Sequence, residues 1–155
     1  MSTRHAKKIL FTLGFSLAGI LVTFLSAMAG CTITTTSVTF GSYHVFSSAH
    51  LDSTGSVTYT CDTVSSITIA LDRGRAPSFN PRHMLDGTDT VHYNLYLDTA
   101  HTTIWGDGTK GTNVYSDPST PVNKPVTVTI YGRIPARQNV RAGTYTDTVR
   151  VIINF

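Results

Sequence analysis

The fold is decided by the stretch Thr148-Val-Arg-Val-Ile-Ile-Asn-Phe155 at the end of the chain. Four apolar residues fall on one side of an extended chain there: Val149, Val151, Ile153 and Phe155. This period of two is typical of a strand that buries one face, with Ile152 as the exception. A strand of this kind needs a neighbour at each edge, and no residues follow in the sequence to supply the second one. We therefore expect a sheet that lacks its final strand.

The rest of the chain predicts more short strands separated by turns. Strand-like alternation recurs at 32–40, 55–61, 67–71, 91–97, 126–130 and 144–155, with a short edge strand at 82–85. Threonine is abundant, glutamate is absent and no helical periodicity occurs, which together favour strands. The pattern predicts an all-β fold, an immunoglobulin-like β-sandwich.

Residues 1–29 have the features of a secretion signal peptide. A basic start with Arg4, Lys7 and Lys8 precedes an uncharged apolar run at 9–25, and Ala27-Met-Ala29 is a small-x-small cleavage site. Residues 9–29 carry no charge and are also long enough for an uncleaved membrane anchor, but the cleavage site favours export. Cleavage leaves residues 30–155 as one domain with nine basic and nine acidic residues. A formally neutral domain gives no reason to expect nucleic-acid binding.

The two cysteines, Cys31 and Cys61, would both remain after export. An even pair in an oxidising compartment predicts one disulfide. However, Met28-Ala-Gly-Cys31 also resembles a bacterial lipoprotein box, which would acylate Cys31 and leave Cys61 as a free thiol. Methionine is a poor first residue for such a box, so the disulfide is our prediction and lipidation its alternative.

A series of short motifs between Cys31 and Phe155 resembles the spore coat protein U-like domain family, which builds the subunits of archaic, Csu-type chaperone–usher pili. The motifs are the Cys31 and Cys61 pair, Phe40-Gly-x-Tyr43, Arg82-x-Met84, Tyr93-x-Leu-Tyr-x-Asp98, Trp105-Gly-Asp-Gly108, Tyr131-Gly-Arg-Ile-Pro135 with Gln138, and Gly143-x-Tyr-x-Asp-Thr-Val149. Each motif alone is weak, but all of them in this order are specific. The resemblance implies an immunoglobulin-like sandwich without its last strand, which agrees with the alternation at the chain end.

The resemblance also implies donor-strand complementation, a form of strand addition for which chaperone–pilin complexes are an established example. A periplasmic chaperone lends a strand to the open groove, and the N-terminal extension of the next subunit later replaces it. The expected groove and chaperone-contact residues are Val149, Val151, Ile153 and Phe155. The expected partners are a periplasmic pilus chaperone, an outer-membrane usher and neighbouring pilus subunits. The expected location is the periplasm and then the cell surface, with a role in adhesion and biofilm formation.

One feature departs from the family pattern. Family subunits carry their donor strand ahead of the first cysteine, whereas cleavage after Ala29 leaves only Gly30 there. We therefore expect a subunit that accepts a strand but has none to give. It would occupy a terminal or tip position in a fibre, or would be a non-polymerising spore or cell-surface coat protein of the same fold. An earlier cleavage would instead leave part of 17–29 as a donor.

The sequence predicts no catalytic activity, cofactor, metal site or small-molecule substrate. It contains no Gly-x-Ser-x-Gly elbow and no spacing that indicates a catalytic triad. Asp98 and Asp107 would be the acids of a calcium site beside Trp105, but Asp and Gly in such a loop are typical turn residues. The histidines lack the close spacing of metal ligands: His83, His92 and His101.

Arg73, Arg75 and Arg82 form a local basic cluster, which we interpret as loop charge that is exposed to solvent. The weaker alternative is a surface that binds anionic polysaccharide or abiotic material. Met84 and Trp105 are interpreted as core or loop anchors. One alternative from another functional class stays open. It is a periplasmic carbohydrate-binding module, or a small hydrolase, that uses the Trp105 loop.

Overall fold

The computed structural model describes residues 30–155. These residues contain eight strands, joined by turns and irregular segments, and no helix. The strands are β1 (Cys31–Thr36), β2 (Leu51–Cys61), β3 (Ile67–Leu71), β4 (Arg82–Asp86), β5 (Asp89–Tyr96), β6 (Tyr115–Asp117), β7 (Val126–Ile134) and β8 (Val151–Asn154). No segment of this described part is a helix long and apolar enough to cross a membrane. The predicted signal peptide and its cleavage site lie outside the described residues.

The strands form two antiparallel sheets. The larger has the order β1-β2-β7-β5-β4, and the smaller has the order β6-β3-β8. Alternate side chains of each strand point between the sheets, so that Val57 and Tyr59 of β2 meet Ile67 and Ile69 of β3 in one core, each at most 1% exposed. The all-β sandwich predicted from the period-2 pattern is confirmed.

Four strand boundaries differ by at least four residues from the sequence-based expectation, and β6 is a short strand that the alternation does not predict. β7 ends at Ile134 rather than residue 130. The first strand ends at Thr36 rather than residue 40, and β2 begins at Leu51 rather than 55. The last strand is only Val151–Asn154 rather than 144–155. The reason is that Thr146 exchanges two backbone hydrogen bonds with Leu85 of β4, at 2.9 and 3.0 Å, and so belongs to the edge of the larger sheet. The chain crosses from one sheet to the other before β8 begins, and alternation cannot show such a crossing.

The interpretation of Arg82 as solvated charge is wrong. Its side chain is 0% exposed and lies between the sheets. The guanidinium donates to the backbone oxygens of Asp72 (2.9 and 3.0 Å) and Trp105 (2.7 Å) and to the side-chain oxygen of Asn94 (2.7 Å). Burial lowers the pKa of Arg82, and these oxygens replace the water that the charge has lost.

Trp105 is a core residue, as interpreted from the sequence. Its ring is 0% exposed, and its indole N–H donates to the backbone oxygen of Ile69 at 2.9 Å. A buried ring cannot stack on a sugar, so this tryptophan does not offer the platform that the carbohydrate-binding alternative requires. That alternative therefore loses the residue on which it rested.

The predicted disulfide joins the beginning of β1 to the end of β2. Cys31 and Cys61 face each other in the strand register, and their sulfur atoms are 2.06 Å apart. A sulfur atom that is bonded to another cysteine is not available for acylation. The structure therefore supports the disulfide over the lipoprotein alternative.

We expect reduction of this disulfide to lower the free energy of unfolding by about 2–5 kcal/mol, because the bond closes a loop with a sequence separation of 30 residues. Urea unfolding of the exported protein with and without a reducing agent measures the difference. The double variant Cys31→Ala, Cys61→Ala should unfold like the reduced protein. Equal stability of the oxidised and reduced proteins would count against a structural role.

Candidate functional site

The candidate site is an open groove beside β8 with a volume of about 970 Å³. Its floor is the inward face of both sheets and is apolar: Leu71, Met84, Val91, Leu95, Ile130 and Ile134 line it. One wall is the end of β1 at 35–36 with the irregular segment that follows it, at 37–46, and the other is the crossing segment at 140–149 together with Val151. β8 pairs with β3 on one edge, and no strand of residues 30–155 pairs with its other edge. The groove therefore combines an apolar floor with an open strand edge.

The first wall is seated on the larger sheet by a glycine. A Cβ atom placed on Gly132 would lie 2.7 Å from Val38 Cγ1 and 2.8 Å from Phe40 Cζ. Phe40 also packs edge-on against Tyr93, with ring centroids 6.1 Å apart. The absence of a side chain at Gly132 thus lets Val38 and Phe40 lie directly on the sheet.

Further along this wall, Tyr43 connects it to the turn after β7. The Tyr43 hydroxyl donates to the backbone oxygen of Pro135 and accepts from the backbone N–H of Gln138, both at 2.8 Å. The Gln138 side chain in turn bonds both backbone groups of His92 in β5, at 2.7 and 2.8 Å. The motif at 40–43 and the motif at 131–138 are therefore in direct contact, and together they attach the first wall to the end of β7.

We expect Gly132→Ala to lower the free energy of unfolding by about 1–3 kcal/mol, because the new methyl group overlaps Val38 and Phe40 in a packed interior. Thr129→Ala removes a side chain from the opposite face of the same strand and should change stability much less. Urea or thermal unfolding of the two variants makes the comparison. A Gly132→Ala protein as stable as the wild type would show that the wall does not rest on this glycine.

The second wall is fixed by Asp147. One carboxylate oxygen accepts from the Tyr93 hydroxyl at 2.7 Å, and the other accepts from the backbone N–H groups of Arg75 (3.1 Å) and Thr148 (2.8 Å). Burial raises the pKa of Tyr93, which keeps the phenol protonated as a donor. The carboxylate also lies directly against Gly74, where a Cβ atom would overlap one of its oxygens. This wall is therefore tied to β5 of the larger sheet and to the loop that follows β3.

The four residues predicted to line the groove have different positions. Val149 and Val151 are half-buried and line it. Ile153 is 3% exposed and packs in the core opposite Ile69, and Phe155 is 39% exposed, beyond the end of β8. The difference arises because β3 and the larger sheet already cover the end of β8, whereas its beginning lies beside the gap.

Sequence reasoning missed the first wall. Val38, Phe40 and Tyr43 line the groove, whereas the alternation at 32–40 predicts only a strand that ends at Phe40. The motif Phe40-Gly-x-Tyr43 is the available signal, since two aromatic side chains beside a glycine favour a packed segment over an exposed loop. Its contact with Gly132 and Pro135 becomes visible only when β7 is placed beneath it.

The side chains considered for metal or sugar binding have structural contacts instead. Asp98 accepts from the backbone N–H groups of Thr102 and Thr103, which lowers the pKa of its carboxyl to about 2. Asp107 accepts from Thr109 in the next turn. Within residues 30–155, no group of three or more His, Cys or Asp side chains is placed to hold a metal ion.

Comparison with known proteins gives three findings. Residues 17–152 match the family described as the Spore Coat Protein U domain. Protein U of Myxococcus xanthus is 36% identical over 110 residues, which cover 66% of this chain and 59% of that protein. A crystal structure of the CsuC–CsuE chaperone–tip adhesion subunit pre-assembly complex, from archaic chaperone–usher Csu pili of Acinetobacter baumannii, has a similar fold. The TM-score is 0.58 at 22% identity, over 81% of this chain and 39% of that one. The chain thus spans less than two thirds of either protein.

Proposed function

The chain belongs to the Spore Coat Protein U domain family, and we propose that it is a structural or adhesive subunit of a chaperone–usher surface pilus. In this proposal the groove beside β8 accepts a donor strand from a chaperone and then from a neighbouring subunit. The observation that carries the proposal is that an apolar groove floor lies beside β8, which has no neighbouring strand on one of its edges. A strand laid there gains backbone hydrogen bonds from the edge and buries alternate side chains on the floor.

The free energy available from filling the groove is comparable to the stability of a whole domain. Burying four side chains of a donor strand contributes about 1.5–3 kcal/mol each, or roughly 6–12 kcal/mol in all. Whole domains are stable by only about 5–15 kcal/mol. A domain with the groove empty is therefore expected to be marginally stable and prone to aggregation. A chaperone strand during export, replaced by a subunit strand in the fibre, removes that weakness.

The proposed pathway begins with export by the signal at 1–29 and continues in the periplasm. The disulfide between Cys31 and Cys61 fits an oxidising compartment of this kind. The proposed partners are a periplasmic pilus chaperone, an outer-membrane usher and neighbouring subunits, and the final location is the cell surface. The role is structural, with no catalytic step.

We further propose that this subunit occupies a terminal or tip position. If cleavage follows Ala29, Gly30 is the sole residue ahead of Cys31, and Cys31 is already fixed in β1 by its disulfide. A donor that fills four sites at alternate positions needs about seven residues at about 3.3 Å each. Mass spectrometry of the N-terminus of the exported protein tests this position. A mature chain that begins near residue 17 would assign it to the shaft instead.

The function itself is tested by expression in the periplasm with and without the matching chaperone. We expect a one-to-one complex when both are present, and degradation or aggregation when the subunit is alone. Soluble, monomeric protein at full yield without the chaperone, and no complex with it, would contradict the proposal.

A non-polymerising coat protein of the same fold is the second candidate. The family description and the 36% identity to Protein U favour it. The two candidates differ in the fate of the protein, because a pilus subunit is found in usher-dependent fibres whereas a coat protein reaches the surface without an usher. Deletion of the usher gene, followed by detection of the protein at the cell surface, distinguishes them.

A further inference from the structure

Phe46 is the most exposed large apolar side chain of residues 30–155, with 97% of its surface accessible to solvent. It lies on the connection between the first wall of the groove and β2, in a turn closed by a hydrogen bond of 3.0 Å from the Ser47 N–H to the His44 oxygen. Phe46 also lines the groove, so it extends the apolar surface of the groove into solvent rather than being isolated. A continuous exposed apolar surface of this kind indicates a contact site.

The position of Phe46 is at the end of the sandwich opposite the disulfide. The first wall continues β1 away from Cys31 and passes along β7 as far as Pro135, whose backbone oxygen accepts from the Tyr43 hydroxyl just before Phe46. β8 runs the other way, because it is antiparallel to β3, and β3 begins at the disulfide end. The groove therefore lies between two segments of opposite direction, with Phe46 at the end where β8 begins.

This geometry decides where the owner of a donor strand would lie. Every strand pair in the two sheets is antiparallel, and antiparallel pairing is the commoner and slightly more stable arrangement. A donor strand antiparallel to β8 runs from the disulfide end toward Phe46. Under the proposed function the donor is the N-terminal extension of a neighbouring subunit, so its C-terminal end leads directly into the folded domain of that subunit. That domain then lies against the end that carries Phe46.

The disulfide end of this chain shows what a domain of the family presents beside its first strand. Gly30, which precedes β1, is hydrogen-bonded to the loop after β2, and that loop carries Val64, which is 64% exposed. The loop before β7 carries Val122, which is 42% exposed. Hydrogen bonds of 2.9 and 3.0 Å between Ser65 and Thr120 join the two loops. In a neighbouring subunit with the same arrangement, an exposed apolar patch thus lies at the base of the donor strand.

We propose that Phe46 anchors the folded domain of the subunit whose strand fills the groove, by packing against an apolar patch beside the first strand of that subunit. The inference rests on the proposed function and adds a contact outside the groove. A phenylalanine suits this role because it buries a large area and has few rotatable bonds. The contact fixes the orientation of the two domains, in addition to the attachment that the donor strand provides.

Phe46→Ser removes the anchor. Val64→Ser is the matched control, because it removes an exposed apolar side chain from the opposite end of the same domain. Both positions are exposed, so neither change should alter the urea midpoint of the domain with a donor peptide bound. Each variant is compared with the wild type in three complexes: with the whole neighbouring subunit, with a synthetic peptide of that subunit's residues ahead of its first cysteine, and with the chaperone.

The thermal midpoint of each complex measures the contact. We expect Phe46→Ser to lower the midpoint of the whole-subunit complex by about 4 °C or more and to leave the peptide complex within about 1 °C, while Val64→Ser changes neither. A photo-crosslinking amino acid at position 46 should react with the folded domain of the neighbouring subunit.

Equal midpoints for Phe46→Ser and the wild type in the whole-subunit complex would overturn the proposal. An effect confined to the chaperone complex, or to self-association of this chain in sedimentation velocity, would assign Phe46 to that partner and overturn it as well. If the wild type binds neither the peptide nor the whole subunit, the proposed function fails and this inference fails with it.

Discussion

We expect Val151→Asp to abolish capture of a donor strand while leaving the domain able to fold. Val151 is half-buried at the beginning of β8 and lines the groove, where an inserted side chain would cover it. A carboxylate there stays hydrated in the empty groove but must lose that water when a strand is added. The cost is several kcal/mol, and about 3 kcal/mol already corresponds to a hundredfold loss of affinity.

Co-purification with the chaperone measures this effect. Asn154→Asp is the matched control, because it places the same charge on an exposed position of the same strand. Ile153→Asp is not a suitable test, since Ile153 is 3% exposed in the core and an aspartate there should prevent folding altogether. A Val151→Asp subunit that still binds the chaperone as the wild type does would show that the donor strand does not pass this residue.

Arg82→Met should lower the free energy of unfolding by about 2–5 kcal/mol, because the buried oxygens around the guanidinium lose their donor. The methionine fills much of the same volume but donates no hydrogen bond. The backbone oxygens of Asp72 and Trp105 and the side-chain oxygen of Asn94 then lose their charged donor in the interior. Each unsatisfied group costs about 1–3 kcal/mol.

The control for this prediction is Arg75→Met, since Arg75 is exposed and its side chain should contribute little. Urea unfolding of each subunit with a donor-strand peptide bound in the groove compares the two, and Arg82→Lys adds a variant that keeps the charge without the planar fork of donors. We expect Arg82→Lys to be intermediate in stability. An Arg82→Met protein within about 0.5 kcal/mol of the Arg75→Met protein would contradict the role assigned to the guanidinium.

The sequence by itself determined seven of the eight strands, though not all of their boundaries, together with the sandwich class and the disulfide. The alternation at β2, β3 and β7 shows which side chains are buried, because a side chain on a strand can point to only two faces. The pairing of Cys31 with Cys61 needed only their number and an exported chain. These features depend on neighbours in the sequence or on composition, so no tertiary placement was required to predict them.

Only the tertiary structure decided where the groove lies and what Arg82 does. Alternation shows that Val151 and Ile153 share a face but not that one borders a gap and the other is covered, since that depends on where β3 and the larger sheet lie. In the same way, Arg82 looks like loop charge until the carbonyl oxygens of Asp72 and Trp105, which lie 10 and 23 positions away along the chain, meet around it. The free energy of a buried charge depends on the atoms that replace its water, and those atoms come from parts of the chain that only folding brings together.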